Sequence, residues 1–153
     1  MRAPLWLTLV VFTGLAGATR VATADDKAEC NYLEISGTTG DKPAIDGDLT
    51  TDRSLEKKLT KPPFKTWNVM HKLSSGPLAL SRLKAESVKL KEGAASILLR
   101  ERTDKRLEVT VTMDGADGKR VLDVKQAASV GDWALFVATN AKGDGHILGM
   151  TCK

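Results

Sequence analysis

Along Leu107-Glu108-Val109-Thr110-Val111-Thr112-Met113, apolar and polar residues alternate without a break. A period of two sends one set of side chains into a core and the other toward water, so this stretch predicts a β-strand. Turn chemistry brackets it, with Thr103-Asp104-Lys105-Arg106 before and Asp114-Gly115-Ala116-Asp117-Gly118 after. The same pattern recurs along the chain. Residues 30–36 predict a first strand, with Leu33 and Ile35 on one face and Tyr32 on the other. Residues 78–83 are weakly patterned, Val88 and Leu90 alternate with Ser87, Lys89 and Lys91, and Glu92-Gly93 turns the chain. Residues 96–102 contain Ile97-Leu98-Leu99, apolar on both faces and so central in a sheet. Leu122 and Val124 point inward from residues 120–128, and Ser129-Val130-Gly131-Asp132 turns into Trp133–Thr139, again apolar on both faces. A glycine-rich hairpin loop at 140–145 leads into a closing strand at 146–152. Short strands joined by tight turns predict an all-β, mainly antiparallel fold, a β-sandwich or flattened barrel of about eight strands.

Helical patterning is confined to one place. After a polar, glycine-containing loop at 37–48, residues 51–59 predict a short helix with Leu55 and Leu59 on one face. Thr50 or Thr51 can cap it, Asp52 suits its positive first turn, and Lys57 and Lys58 suit its last. Lys61-Pro62-Pro63 stops it, because proline lacks the donor and pushes its predecessor out of helical geometry. Residues 64–73 carry two periods at once. Trp67, Val69, His71 and Leu73 alternate like a strand, while Phe64, Trp67 and Met70 are spaced like helical turns. The strand reading, from about Thr66, is the one adopted, with Ser74-Ser75-Gly76-Pro77 as the turn that ends it. Trp67 and Trp133 lie in period with other apolar residues and are expected in the core.

The first residues read as an export signal, which leaves residues 25–153 as a single β-rich domain. Met1-Arg2 is followed by an apolar stretch from Leu5 to Phe12 and then by small residues up to Ala22-Thr23-Ala24, an A-x-A cleavage pattern. A second such pattern, Ala16-Gly17-Ala18, leaves the cut site open between the two. The apolar run is short of the roughly 20 residues a membrane span needs, so no span is expected. The chain is read as exported, periplasmic or extracellular. Its two cysteines, Cys30 and Cys152, lie at opposite ends of the mature sequence and are expected to form one disulfide in such a compartment.

Charge is unevenly placed. The whole chain holds 23 basic and 19 acidic residues. Residues 25–52 carry eight acids against Lys27 and Lys42, whereas residues 53–125 carry 17 bases against nine acids. Such asymmetry can steer an anionic partner, although two solvated halves that neutralise each other on folding satisfy it equally. Nucleic acid is not expected of an exported chain with so small a net charge and no recognition motif.

No motif announces a reaction. Asp46-Gly47-Asp48-Leu49-Thr50 begins like a calcium loop, but Thr51 stands where the loop needs Gly and Lys57 where it needs Glu. Nor does it fit the aspartate nucleophile motif of the haloacid-dehalogenase-like phosphatases, which ends a buried strand. Helix capping accounts for the string, and hairpin geometry accounts for Asp114 and Asp117 without a metal. His146 follows Asp144-Gly145 and could meet a carboxylate as a general base, but an ordinary strand-end histidine explains it better. His71 is expected as a packed or half-buried ring. No serine sits in a G-x-S-x-G elbow, so no catalytic residue, metal or cofactor is assigned.

One segment does suggest a partner. Lys57, Lys58, Lys61 and Lys65 surround Pro62, Pro63 and Phe64, giving a rigid, basic and partly apolar rim suited to an acidic protein or an anionic envelope polymer. Two strings, Lys61-Pro62-Pro63-Phe64-Lys65-Thr66-Trp67 and the Gly131-Asp132-Trp133 turn before the glycine-rich hairpin, resemble those of uncharacterised secreted proteins from myxobacteria and their relatives. That resemblance implies a periplasmic, β-rich domain and brings no activity or site residues with it. The function expected is therefore a non-catalytic binding or structural module, working through the basic segment or an exposed strand edge. The alternatives are a small-ligand carrier with an apolar interior and, behind it, a small hydrolase. Partner identity and oligomeric state have no signature in the sequence.

Overall fold

The computed structural model describes residues 26–153; the leader proposed for residues 1–24 lies outside them. Nine strands run in chain order: β1 (Lys27–Thr38), β2 (Ala44–Ile45), β3 (Val69–Ser81), β4 (Ala85–Leu90), β5 (Gly93–Arg102), β6 (Arg106–Gly115), β7 (Arg120–Ser129), β8 (Trp133–Thr139) and β9 (Gly145–Cys152). They form a five-stranded sheet, β2-β3-β1-β9-β8, and a four-stranded sheet, β4-β5-β6-β7. All pairings are antiparallel except the two-residue β2 against β3. The expected all-β fold forms, and of the sandwich and the flattened barrel it is the sandwich. Its eight long strands follow one another around the molecule, with the seams between β3 and β4 and between β7 and β8 left unzipped. No helix among the described residues is long and apolar enough to cross a membrane.

The alternation that defines β6 is expressed in full, since Leu107, Val109, Val111 and Met113 are all buried between the sheets. They meet Ile97 and Leu99 from β5, Val88 and Leu90 from β4, and Phe136, Leu148 and Met150 from the opposite sheet. Cys30 and Cys152 face each other across the β1–β9 ladder and are joined as expected. The disulfide thus staples two paired strands from the ends of the chain, 122 residues apart.

A second apolar cluster covers the outer face of the five-stranded sheet. Its members are Leu33 and Ile35 of β1, Met70 of β3, Ile147 of β9, Leu49, Leu55, Leu59 and Trp67. Leu49 comes from a single turn, α1 (Gly47–Thr50), and Leu55 and Leu59 come from α2 (Arg53–Leu59). The helix expected at 51–59 starts at Arg53, after the separate turn α1, and its cap is Asp52, whose carboxylate accepts from the backbone N–H groups of Ser54 and Leu55. The Thr51 hydroxyl donates to the Asp48 carbonyl instead.

Three further expectations need correction. Residues 64–66 form a 3₁₀ turn, and β3 begins only at Val69. Phe64, Trp67 and Met70 all join the outer cluster, so the spacing of three recorded burial while the competing alternation did not. Ser74-Ser75-Gly76-Pro77 is no turn, because β3 continues straight through it. Only β1 pairs with β3 there, so a strand with one open side tolerates a residue lacking an N–H. A register shift opposite Glu34 and Ile35 lets β3 turn Met70 outward but Leu78 and Leu80 inward.

Finally, Gly37 and Gly145 are not loop residues but ladder partners in β1 and β9. They leave a bare patch on which the Trp67 indole lies; a Cβ on Gly145 would come within 2.7 Å of the ring. Trp67 is 5% exposed and donates from Nε1 to the Gly143 carbonyl, whereas Trp133 is only half-buried, on the outer side of β8. Trp67→Ala should accordingly destabilise the fold by about 3–5 kcal/mol, and Trp133→Ala by clearly less. Urea denaturation of the two variants checks the order, which equal losses would contradict.

Candidate functional site

The basic segment leaves the end of α2 and wraps onto the start of β8. Phe64 and Trp133 pack beside the outer cluster, while Lys57, Lys61, Pro62, Pro63 and Lys65 are exposed. Two polar contacts bolt this layer to the β7–β8 turn. Lys58 Nζ lies 2.9 Å from Asp132, and Trp133 Nε1 donates to Asp52 over 2.8 Å. The lysine, with the Ser54 hydroxyl, holds the Asp132 carboxyl below its ordinary value, and the indole does the same for Asp52. Lys57, Lys61 and Lys65 have no ion-pair partner among the described residues.

Beneath that rim runs a groove of about 240 Å³, lined by Lys58, Lys61, Pro62 and Phe64 on one side and Gln126 of β7 on the other. Trp133, Ala134 and Leu135 form its floor. These residues belong to β8, which pairs with β9 on one side and has no strand partner on the other. Every second backbone N–H and C=O of such an edge strand points away from its only neighbour. The sequence-predicted partner segment and a free strand edge therefore meet in one place.

The opposite end of β8 opens on a larger cleft of about 590 Å³ between the ends of the two sheets. Behind two of its lining residues, Glu92 and His146, lies Glu34, fully buried on the inner face of β1. Its carboxylate accepts from the backbone N–H groups of Lys91 and Glu92, from the Ser74 hydroxyl, and from His146 Nε2 at 2.9 Å. Burial by itself would raise the Glu34 pKa, but these four donors outweigh it and bring the value from 4.5 down to about 2. Glu34 thus ties β1 to β3, to β9 and, across the sandwich, to the turn between β4 and β5.

Both histidines correct their expectations. His146 is an almost buried partner of a carboxylate rather than an ordinary strand-end ring, its side chain being 13% exposed. His71 is not packed but exposed, and pairs with Asp46 at 3.0 Å. Asp46 in turn makes no side-chain cap for α1 and instead accepts from the Lys72 backbone N–H. Ser74, Glu34 and His146 come together, but with the carboxylate in the middle. The hydroxyl donates to Glu34 and not to the imidazole, so the three groups lack the serine–histidine contact of a catalytic triad. No three His, Cys, Asp or Glu side chains group as a metal site among the described residues. Asp114 and Asp117 serve the β6–β7 hairpin, where Asp117 accepts from the Lys119 N–H.

Sequence reasoning did not single out Glu34. The signal for it is parity, since Glu34 shares a strand face with Cys30 and Tyr32, and a disulfide-bonded cysteine marks the inner face. No family model, curated protein or solved structure matches the chain.

Because its folded-state pKa lies below the unfolded one, Glu34 stabilises the fold fully above pH 4.5, and that contribution fades as pH falls toward 2. The shift corresponds to about 3 kcal/mol at neutral pH. Urea midpoints measured from pH 7 to pH 2.5 should fall more steeply for the wild type than for Glu34→Gln. Parallel curves would show that the carboxylate is not held in this way.

Proposed function

We propose that this chain is an exported, non-catalytic binding module that takes an extended acidic segment of a partner protein along the free edge of β8. The observation that carries the reading is the groove itself, where Lys58, Lys61, Pro62 and Phe64 stand over unpaired β8 backbone. An added strand would satisfy the open N–H and C=O groups, as in other cases of strand addition to a sheet edge. Phe64 and Trp133 supply apolar contact, and Lys57, Lys61 and Lys65 supply the charge that selects for acids. A polypeptide answers to both features, whereas an anionic polysaccharide answers to the charge alone.

The leader-like pattern of residues 1–24 and the Cys30–Cys152 disulfide support an oxidising, extracytoplasmic setting. Carriage of a ligand between the sheets has less support. That space is filled by Ile97, Leu99, Val109, Val111, Met113, Phe136 and Leu148.

A fluorescent ten-residue peptide alternating Glu with Val, titrated by anisotropy, tests the proposal. Saturable binding should weaken at least tenfold when Lys57, Lys61 and Lys65 are all changed to Glu, and should weaken with added salt. Equal affinity for alginate, a polyanion with no peptide backbone, would remove the strand-pairing component. Unchanged peptide binding by the triple variant would remove the assigned face.

A further inference from the structure

β8 is not the only strand with an open flank on this side of the molecule. β7 pairs with β6 alone and ends the four-stranded sheet, as β8 ends the five-stranded one. Gln126 of β7 shares the basic groove with Ala134 and Leu135, and Val121 of β7 shares the cleft at the far end with Ala138 and Thr139. The two edge strands therefore run side by side in opposite directions, without hydrogen-bonded pairing and with an opening at each end of the seam.

β7 brings to this seam an apolar row that its own sheet does not finish burying. Leu122 and Val124 stand opposite Met113 and Val111 of β6, so all four share the inner face. Met113 and Val111 are fully buried, whereas Leu122 and Val124 are only half-buried, packed against the rim of the main core. One step toward the edge thus takes the same face from burial to partial exposure. Val121, 46% exposed at the cleft, carries apolar surface to the end of the seam.

Pleat geometry decides what can cover that row. A strand hydrogen-bonded to β8 extends the five-stranded sheet by one place, about 4.8 Å beyond β8, and its side chains alternate between the two faces. One set points to the outer face, where Lys58, Lys61 and Phe64 line the groove with Trp133 and Leu135. The other set points toward the four-stranded sheet, whose strand bordering β8 is β7.

On the basis of docking along β8, we infer that β7 is a second wall of the same site, with Leu122 and Val124 receiving the inward side chains of the docked strand. The partner segment accordingly has a period of two, acidic residues turned outward to the lysines and aliphatic residues turned inward onto β7. An acidic segment without that period satisfies the lysines but presses charge onto Leu122 and Val124, which costs hydration.

Three fluorescent ten-residue peptides of equal charge test this by anisotropy: Glu alternating with Val, Glu alternating with Ser, and five Glu followed by five Val. The first should bind about tenfold or more tightly than either of the others, because only it buries several Val side chains on β7. Intermolecular nuclear Overhauser contacts should join its Val methyls to the methyls of Leu122 and Val124. Val124→Thr, which keeps the shape of the side chain, should weaken the Glu–Val peptide and leave the Glu–Ser peptide unchanged, with a thermal midpoint to check the fold. Equal affinities of the three peptides, or Val methyls that touch Phe64 and Trp133 but not β7, would overturn the second wall while leaving docking on β8 intact. Absence of binding by all three would remove the docking itself, and the second wall with it.

Discussion

Most of this structure follows from the covering of one sheet on both faces. The five-stranded sheet packs its inner face against the other sheet and its outer face against α1, α2 and the 3₁₀ turn. Two-sided burial explains why β8, an edge strand, is apolar on both faces, a pattern usually met in central strands. It explains the paired glycines of β1 and β9, without which Trp67 could not lie flat on the sheet. It also fixes the basic segment. The outer layer ends over β8, so Lys58 and Lys61 are delivered to the flank of that strand with no hydrogen-bonded partner.

The inner space narrows to a polar contact at one end. Glu34 replaces an apolar residue where the two sheets open into the cleft, and four donors from three different parts of the chain converge on it. A buried carboxylate is tolerable only with that degree of satisfaction. The arrangement orients the His146 ring that lines the cleft.

Local patterns made much of this legible. Alternation in Leu107–Met113, turn residues at 103–106 and 114–118, and the spacing of the two cysteines led to the correct architecture because each acts over a few residues or through one covalent bond. What stayed hidden depended on partners distant in sequence. Ser74–Pro77 reads as a turn by composition, yet pairing with β1 keeps it extended. Gly145 reads as loop punctuation until the indole of Trp67, 78 positions earlier, is placed over it. His146 is unremarkable until Glu34 is found beneath it. The lysines were legible as a cluster, but their position over a strand edge was not, because edges are a property of strand order.

The docking account turns on whether β8 gains a partner strand, and hydrogen–deuterium exchange resolved at single amides reads this directly. In the free protein every second amide of β8 should exchange fast, with those bonded to β9 slow. On saturation with an acidic, extended peptide, the fast set should become protected with the same two-residue period. Binding that leaves the β8 amides unprotected would contradict strand addition and reduce the lysine rim to a charge-only contact.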